Sequence, residues 1–369
     1  MRIAVIGGYG PSLINFRGSM LRAMVEAGHE VYGLAPLDSS TVAEELARMG
    51  VKFVEAPIQR TGMNPLKDLS SLFALIKILQ EIKPDTVLSY TIKPVIYGSI
   101  AAKIAGVKSI YSMITGLGYA FGQTSGKRGL LFKLVKSMYR AGLYFNKAVM
   151  FQNPDDRNLF VEQSIISNKK NTVITNGSGV DMKHFAKASV NTETPVFLCI
   201  SRLLKEKGIH EFAQASLNLK IKYPDARFRL VGPHDHGPDS ISEEQIRLWQ
   251  SGGIECIGPV NDVRNELKNC TVYVLPSYRE GTPRSVLEAM STGRAIVTTD
   301  TAGCRETVLN GLNGYLVPVK DIPLLEEAME KFILQPDLAE SMGEASLSYA
   351  VKKYDVTKVN TTIMNTMGL

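Results

Sequence analysis

The feature that most constrains the fold is an alternation of short apolar runs with amphipathic segments, which occurs twice along the chain. The strands predicted in the first half span residues 2–6, 30–34, 52–55, 86–88, 109–114 and 148–151. The helices predicted between them include residues 15–27, 40–49, 66–82, 94–105 and 127–145. Because strands and helices alternate, the pattern predicts a parallel sheet with helices on both faces.

The same pattern restarts after residue 194. The second set of predicted strands spans residues 195–200, 227–231, 255–257, 272–275, 295–298 and 315–317, with a helix at 208–223. Between the two sets, residues 177–193 are rich in Gly, Ser, Thr and Asn, a composition that is typical of a linker.

The chain is therefore predicted to be an α/β protein with two doubly wound parallel-sheet domains that face each other across a cleft. Its 369 residues are too many for one ordinary core. We place the first domain at residues 1–182, the linker at 183–194 and the second domain at 195–351. A C-terminal helix at about 352–369 is expected to pack back on the first domain. Ligands of such sheets bind beyond the carboxyl ends of the strands.

Composition excludes several classes of protein. A hydrophobic fraction of 44% and a charged fraction of 21% describe a soluble globular chain. There is no run of eighteen apolar residues that would predict a transmembrane helix, and residues 1–8 have the pattern of a first strand, not of a signal peptide. The four cysteines have no paired spacing, which favours core thiols of a cytoplasmic protein: Cys199, Cys256, Cys270 and Cys304.

The strand at 272–275 is followed by the segment S-Y-R-E-G-T-P-R-S-V-L-E-A-M, residues 277–290. It carries two carboxylates, Glu280 and Glu288, on either side of a predicted helix start. Pro283 suits the first helical position and Thr282 the N-cap. The backbone N–H groups of the two residues that follow, Arg284 and Ser285, would then form an anion site. A nucleotide sugar, with phosphate between two polyhydroxylated parts, fits such a site.

Two cations, Arg202 and Lys207, lie in the loop after the first strand of the second domain. They could clamp a diphosphate, since each charge-assisted hydrogen bond contributes about 1.5–3 kcal/mol. A solvated basic loop is the alternative. The glutamate segment on the same domain favours the clamp.

The first strand of the chain ends in a glycine-rich turn at residues 7–10. The G-x-G-x-x-G pattern and the acidic residue of a dinucleotide site are both missing, which disfavours NAD binding. Gly8 would let the backbone approach a ligand, or would serve only the turn. Arg17 in the next helix could reach a phosphate or be a solvated surface charge.

A basic and apolar helix is predicted at residues 127–144, inside a stretch without Asp or Glu between Asp85 and Asp155. It is either a core helix with a solvated basic face or an interfacial helix on anionic lipid. Nucleic acid is disfavoured, because no nucleic-acid motif accompanies the charge. Its interleaved cations are Lys127, Arg128, Lys133, Lys136 and Arg140.

The Glu280-x7-Glu288 spacing, with Arg202 and Lys207 upstream, resembles the retaining GT-B glycosyltransferases of family 4. Gly-Val-Asp at 179–181 and Gly-Leu-Asn-Gly at 311–314 are similar to that family as well, so the resemblance covers essentially the whole chain. Residues 277–288, followed by Ala-Ile-Val at 295–297 and Gly-Cys at 303–304, look most similar to bacterial enzymes that extend undecaprenyl-diphosphate-linked oligosaccharides.

The resemblance implies a role for each site residue. Arg202 and Lys207 would hold the leaving diphosphate, Glu280 would touch the donor sugar, and Glu288 would bind the ribose hydroxyls. The remaining residues assigned to the donor site are Gly8, Arg17, Gly232, Gly281, Thr282, Pro283, Arg284 and Ser285.

The sequence departs from the family at two places. Many relatives have a Gly where this chain has Pro283, which removes one amide donor. Many also have a His in the N-terminal domain, after a strand that faces the cleft. Here Thr115 and Gly116 occupy that region, and Thr115 or its backbone is expected to supply the contact.

As a whole, the resemblance implies a retaining, metal-independent transfer from a UDP-sugar to a polyprenyl-diphosphate-linked saccharide. The donor sugar is expected to be N-acetylgalactosamine or another hexose or N-acetylhexosamine. The resemblance and the basic helix together predict a cytoplasmic protein on the inner face of the membrane, without cofactor or nucleic-acid partner. The alternatives are transfer to a soluble acceptor, a sugar-nucleotide epimerase of the same architecture, and an inactive nucleotide-sugar binding protein.

Overall fold

The computed structural model describes residues 1–37, 40–59, 64–117, 126–235, 237 and 239–369. The chain divides into two compact units, and its end returns to the first of them. The first unit comprises Met1–Ser178 and Lys358–Leu369, and the second comprises Gly179–Thr357. Residues 183–194, predicted as a linker, therefore lie within the second unit.

The first unit is built on a seven-stranded parallel sheet with the order β3-β2-β1-β4-β5-β6-β7. Strand β1, inside the sheet, is buried from Ile3 to Ile6, and Ile3 pairs with Val31 of β2 and with Thr86 of β4. The strands are β1 (Arg2–Ile6), β2 (Glu30–Ala35), β3 (Lys52–Glu55), β4 (Thr86–Tyr90), β5 (Ser109–Ile114), β6 (Ala148–Phe151) and β7 (Thr172–Ile174).

Helices cover both faces of this sheet. One apolar core lies under α1, α2, α3 and the last helix of the chain, and the cores on the opposite face lie under α4 to α7. A π-helical turn at Pro94–Gly98 packs between α4 and α6. The helices are α1 (Gly10–Asn15), α2 (Gly18–Glu26), α3 (Ser40–Arg48), α4 (Pro65–Ile82), α5 (Ser99–Ile104), α6 (Gly126–Tyr144), α7 (Pro154–Glu162) and, at the end of the chain, α14 (Val356–Met367).

The helix predicted at residues 15–27 is wrong in its bounds, because two helices occupy residues 10–26. Pro11 stands in the first turn of α1, where its missing N–H leaves no helical hydrogen bond unmade, and this starts the helix early. The chain then leaves helical geometry at Arg17, with φ −123° and ψ −8°, before α2 begins.

The second unit has a six-stranded parallel sheet with the order β10-β9-β8-β11-β12-β13. Its strands are β8 (Val196–Ile200), β9 (Arg227–Val231), β10 (Glu255–Gly258), β11 (Val272–Leu275), β12 (Ala295–Thr299) and β13 (Gly314–Val317). Its helices are α8 (Ile209–Lys222), α9 (Glu243–Ser251), α10 (Arg264–Lys268), α11 (Arg284–Ser291), α12 (Ile322–Leu334) and α13 (Asp337–Lys353). Two parallel sheets, each flanked by helices, confirm the predicted fold class.

The sheet order of the second unit positions its functional loops. Strands β8 and β11 are neighbours although they are far apart in sequence, because the chain crosses over after β10. The loops that leave their carboxyl ends therefore meet at one point of the sheet edge, where ligands of doubly wound sheets bind.

Candidate active site

The predicted catalytic residues Lys207 and Glu280 form a largely buried ion pair at this edge of the second unit. Lys207 Nζ donates to Glu280 Oε1 at 2.6 Å, and the two side chains are only 15% and 16% exposed. Ser277 Oγ donates to the same oxygen at 2.8 Å. Lys207 ends a 3₁₀ turn after β8, and Glu280 lies in the loop between β11 and α11. The structure thus brings together a cation and a carboxylate that the sequence separates by 73 positions.

Two glycines allow this close approach. Gly208, which follows Lys207, has φ +69°, and a Cβ there would lie 2.0 Å from the carbonyl oxygen of Pro276. Gly303 has φ +80°, and its Cβ would lie 2.3 Å from the carbonyl oxygen of Glu280. The glutamate loop is therefore packed between backbone on both sides, which fixes the position of its carboxylate.

Arg202, the second predicted cation, is placed differently. Its Nη1 lies 3.3 Å from Asp235 Oδ2, and the two side chains are 49% and 32% exposed. Gly232, with φ +151°, packs directly beside it, since a Cβ there would lie 1.8 Å from the carbonyl oxygen of Ser201. The glycine shapes the Arg202 loop. Arg202 itself is held by an exposed ion pair that contributes at most about 1 kcal/mol.

The predicted start of α11 is wrong by one residue. Pro283, not Thr282, is the N-cap, with φ −71° and ψ 108°, and the helix begins at Arg284. The hydroxyl of Thr282 instead donates to the carbonyl oxygen of Gly281 at 2.9 Å. Helical hydrogen bonding starts with the N–H of Val286, which donates to the Pro283 carbonyl. The backbone N–H groups of Arg284 and Ser285 precede that bond, so the helix start keeps its electropositive character.

Glu288 is buried on α11, and its carboxylate is paired along the helix. Arg284 Nε donates to Glu288 Oε1 at 2.9 Å. Burial raises the pKa of Glu288 above its usual value, and the neighbouring Arg284 guanidinium partly offsets that rise. A buried carboxylate of this kind gains from additional hydrogen-bond donors, such as the hydroxyls of a sugar ring.

A second tie to the glutamate loop was not predicted from the sequence. Tyr278 OH donates to Glu211 Oε1 on α8 at 2.6 Å, and the N–H of Tyr278 donates to the Glu206 carbonyl at 2.9 Å. The ammonium group of Lys320 lies 4.9 Å from the centre of the Tyr278 ring. Nothing in the spacing of Glu211 and Tyr278 marks them as partners, since they are brought together only by the sheet order.

In the first unit, the glycine turn packs against β4. Gly8 is buried, and a Cβ there would lie 3.0 Å from Thr91 Oγ1. Arg17 is buried as well, with its guanidinium carbon 5.1 Å from the centre of the Tyr90 ring, so the solvated alternative is wrong. Burial raises the pKa of Tyr90 to about 12, and the Arg17 cation offsets part of that rise. Thr115 and Gly116, both partly exposed, follow β5 at the same edge, and Gly116 has φ +138°.

The basic helix predicted at residues 127–144 is present as α6. Lys133 and Arg140 are exposed and Lys136 is half-buried, whereas Tyr139 and Leu143 point into the core. The side chains of Lys127 and Arg128 lie outside the described part of the structure. Among the helices that the structure describes, none has both the length and the apolar composition to cross a bilayer.

Two family models match the chain. The model of glycosyl transferases group 1 matches residues 180–348, and that of the glycosyl transferase 4-like family matches residues 19–153. The first match contains every predicted site residue of the second unit.

Curated relatives cover most of the chain. An N,N'-diacetylbacillosaminyl-diphospho-undecaprenol alpha-1,3-N-acetylgalactosaminyltransferase of Campylobacter jejuni is 30% identical over 366 residues, which cover 95% of each chain. A UDP-Gal:alpha-D-GlcNAc-diphosphoundecaprenol alpha-1,3-galactosyltransferase of Escherichia coli is 30% identical over 271 residues, which cover 70% of this chain and 68% of the relative.

Solved structures share the fold. A sucrose-phosphate synthase from Thermosynechococcus elongatus superposes with a TM-score of 0.81 at 16% identity, covering 99% of this chain and 98% of the other. Anabaena HepE in complex with UDP superposes with a TM-score of 0.80 at 18% identity and covers all of both chains. At these identities the likeness concerns the fold.

Proposed function

Because the chain belongs to the glycosyltransferases of family 4, glycosyl transferases group 1, we propose that it moves a sugar from a UDP-sugar to a saccharide carried on polyprenyl diphosphate. The observation that carries the proposal is the largely buried Lys207–Glu280 pair, which joins the turn after β8 to the loop that leads into α11. It supplies a cation for a departing diphosphate and a carboxylate for sugar hydroxyls within one rigid loop arrangement.

The donor is held by the second unit in this proposal. Glu288 accepts hydrogen bonds from the ribose hydroxyls, and the N–H groups that open α11 take the phosphate oxygens. Arg202 leaves its exposed partner Asp235 to add a second positive charge. The names of the two curated relatives describe transfer of N-acetylgalactosamine and of galactose. We propose the UDP-sugar of N-acetylgalactosamine as the first donor to test, before those of other hexoses.

The transfer proceeds with retention by a same-face displacement. The bond between the anomeric carbon and the diphosphate oxygen breaks, and the acceptor oxygen bonds to the same face of that carbon. The acceptor proton passes to the departing phosphate oxygen. Lys207 and Arg202 stabilise the negative charge that develops on the diphosphate, which supplies most of the rate enhancement. No metal ion or other cofactor takes part in this scheme.

The acceptor is proposed to bind the first unit, at the strand end that carries Thr115 and Gly116. Both curated relatives bear names that include a diphospho-undecaprenol acceptor, which supports a lipid-borne acceptor here. The chain would then work on the cytoplasmic face of the membrane. Three described cations of α6 would attract it to anionic lipid: Lys133, Lys136 and Arg140.

The test is UDP release from a panel of UDP-sugars, with and without an undecaprenyl-diphosphate-linked saccharide in detergent. Acceptor-dependent UDP release with one donor supports the proposal, and NMR of the product gives the anomeric configuration that decides retention. A product epimerised without acceptor would indicate the epimerase instead. A thermal shift with a UDP-sugar but no turnover on any acceptor would indicate a binding protein. A parallel reaction in EDTA tests metal independence.

A further inference from the structure

The helix α4 of the first unit presents a row of large apolar side chains to solvent. Leu66, Leu69 and Phe73 are 79%, 48% and 63% exposed. Their spacing of three and then four residues places them on one helical face. Isolated exposed apolar residues are ordinary, but a contiguous row on one helix face marks a surface that meets something other than water.

This row is held in place by the polar contacts of the first helical turns. The side chain of Asn64 caps the helix by accepting from the N–H groups of Leu66 and Lys67 at 3.1 and 3.3 Å. Asp68, on the opposite side of α4, is buried between Lys93 Nζ at 2.6 Å and Tyr97 OH at 3.1 Å. These contacts fix the rotation of α4 about its own axis, so the apolar row is presented outward by the fold and not by fraying of the helix end.

The row lies at the functional edge of the first unit. Lys93 follows the carboxyl end of β4, and its contact with the first turn of α4 places that turn at the same edge. This is the edge at which the proposed acceptor site is located.

The exposed charges on the first turns of α4 are of one sign. The exposed charged residues between positions 65 and 77 are Lys67 and Lys77, because Asp68 is buried and neutralised by Lys93. The first exposed acid of the helix is Glu81, one turn further from the functional edge. An apolar row flanked by lysines matches the headgroup region of an anionic bilayer, where apolar side chains enter the acyl boundary and cations meet phosphate.

A second copy of the chain fits this surface less well. A two-fold symmetric contact centred on the row would bring the lysine-bearing patch of one copy against the same patch of the other. The like charges of the two patches would oppose association, whereas the phosphates of an anionic lipid surface attract the lysines.

We propose that α4 is a membrane-docking element, and that Leu66, Leu69 and Phe73 insert into the cytoplasmic leaflet beside the acceptor edge of the first unit. This inference rests on the proposed function in one respect, namely that the acceptor is borne on a lipid. The cations of α6 attract the protein to the surface, and the apolar row of α4 gives the contact its depth and orientation.

The test uses the full chain in vesicle flotation, with phosphatidylcholine alone or mixed with phosphatidylglycerol. The row variant carries L66S, L69S and F73S. The matched control removes three apolar residues of the second unit with comparable or greater exposure through I221S, L248S and L334S, which are 84%, 62% and 60% exposed. We expect the row variant to lose at least about tenfold in binding to anionic vesicles and the control to stay within about twofold of the parent.

A second readout reports insertion directly. The chain has one tryptophan, Trp249, which is buried in the second unit. A Phe73→Trp variant therefore adds a reporter whose fluorescence brominated lipids should quench, while the parent stays unquenched. Absence of quenching, or unchanged flotation of the row variant, overturns the inference. A parent that is dimeric in sedimentation, with a monomeric row variant, also overturns it, because the row would then bind a second copy.

UDP release on the detergent-solubilised acceptor separates this inference from the proposed function. The row variant should keep the turnover of the parent there, since no bilayer is present. Quenching of the Phe73→Trp variant without turnover of the parent on any lipid-linked acceptor would refute the function and leave the docking element standing. Turnover of the parent on a lipid-linked acceptor, without quenching of the Phe73→Trp variant, would support the function and refute the docking element.

Discussion

Lys207 and Arg202 share a proposed role but differ in burial, and this difference gives a sharp prediction. Lys207→Met removes the ammonium group from a pair that is about 85% buried and leaves Glu280 with Ser277 as its remaining hydrogen-bond donor among the contacts described. Breaking a buried pair by deleting one partner costs about 3 kcal/mol, because the other charge stays largely buried without its counter-ion. For a unit of this size, that lowers the melting temperature by about 6–12 °C.

Compared with Lys207→Met, Arg202→Met should lose less stability but a similar amount of activity. Its pair with Asp235 is exposed to solvent, so its loss costs at most about 1 kcal/mol. Both substitutions remove positive charge from the departing diphosphate, and each should lower kcat about 10²–10³-fold. The measurements are thermal unfolding followed by circular dichroism and UDP release at saturating donor.

The double variant K207M/E280Q decides whether the two effects have separate causes. Removing both charges should restore most of the stability that Lys207→Met loses, since no charge is left buried alone. It should not restore activity, because the cation is still missing. Recovery of turnover in the double variant would refute the catalytic role of Lys207, and an unchanged melting temperature in Lys207→Met would refute the argument from burial.

Three further predictions concern other parts of the site. Glu288→Gln should be more stable than the parent at neutral pH and weaker in donor binding. Burial raises the folded pKa of Glu288, so the stability that this one group contributes is fully present below the usual glutamate pKa and is lost as the pH rises through the folded value. Urea unfolding between about pH 4 and pH 8 should show that the difference in the free energy of unfolding between Glu288→Gln and the parent shrinks as the pH falls. Gly303→Ala should destabilise by more than about 1 kcal/mol and raise the donor KM, because its Cβ would meet the backbone of Glu280. Gly311→Ala is the matched control, with φ +79° against +80° but open space around it, so an equal loss in both variants would contradict the packing argument. A last variant changes three cations of α6 to glutamine: Lys133, Lys136 and Arg140. It should lower binding to anionic vesicles about 100-fold, at about 1 kcal/mol per cation, and unchanged flotation would show that α6 does not face the lipid.

The strands were predicted well because parallel strands are buried on both faces and appear as unbroken apolar runs. The bounds of β1, β5 and β9 agree with the predicted ranges. Strand β7 was not predicted, because its three residues are only half-buried at the sheet edge and carry too short a signal. The GT-B fold expected from the resemblance is confirmed by the two parallel sheets and by the solved structures that superpose on them.

The site was predicted in its residues but not in its contacts. That Lys207 touches Glu280 follows from β8 lying beside β11, which no local pattern reveals. The N-cap of α11 was misplaced by one residue, because a proline suits both the cap and the first helical position and only the backbone angle at Pro283 separates them. The partnership of Tyr278 with Glu211 has the same long-range origin as the ion pair.

The return of the chain to the first unit has a consequence for its synthesis in the cell. The core under α1 to α3 includes Val359, Ile363 and Met367 of α14, but the whole second unit is translated before these residues. At ~5–20 residues per second, on the order of ten seconds or more separate Ser178 from Lys358 on the ribosome. During that interval the first unit displays an uncovered apolar surface, which makes it a natural client for chaperones that bind nascent chains.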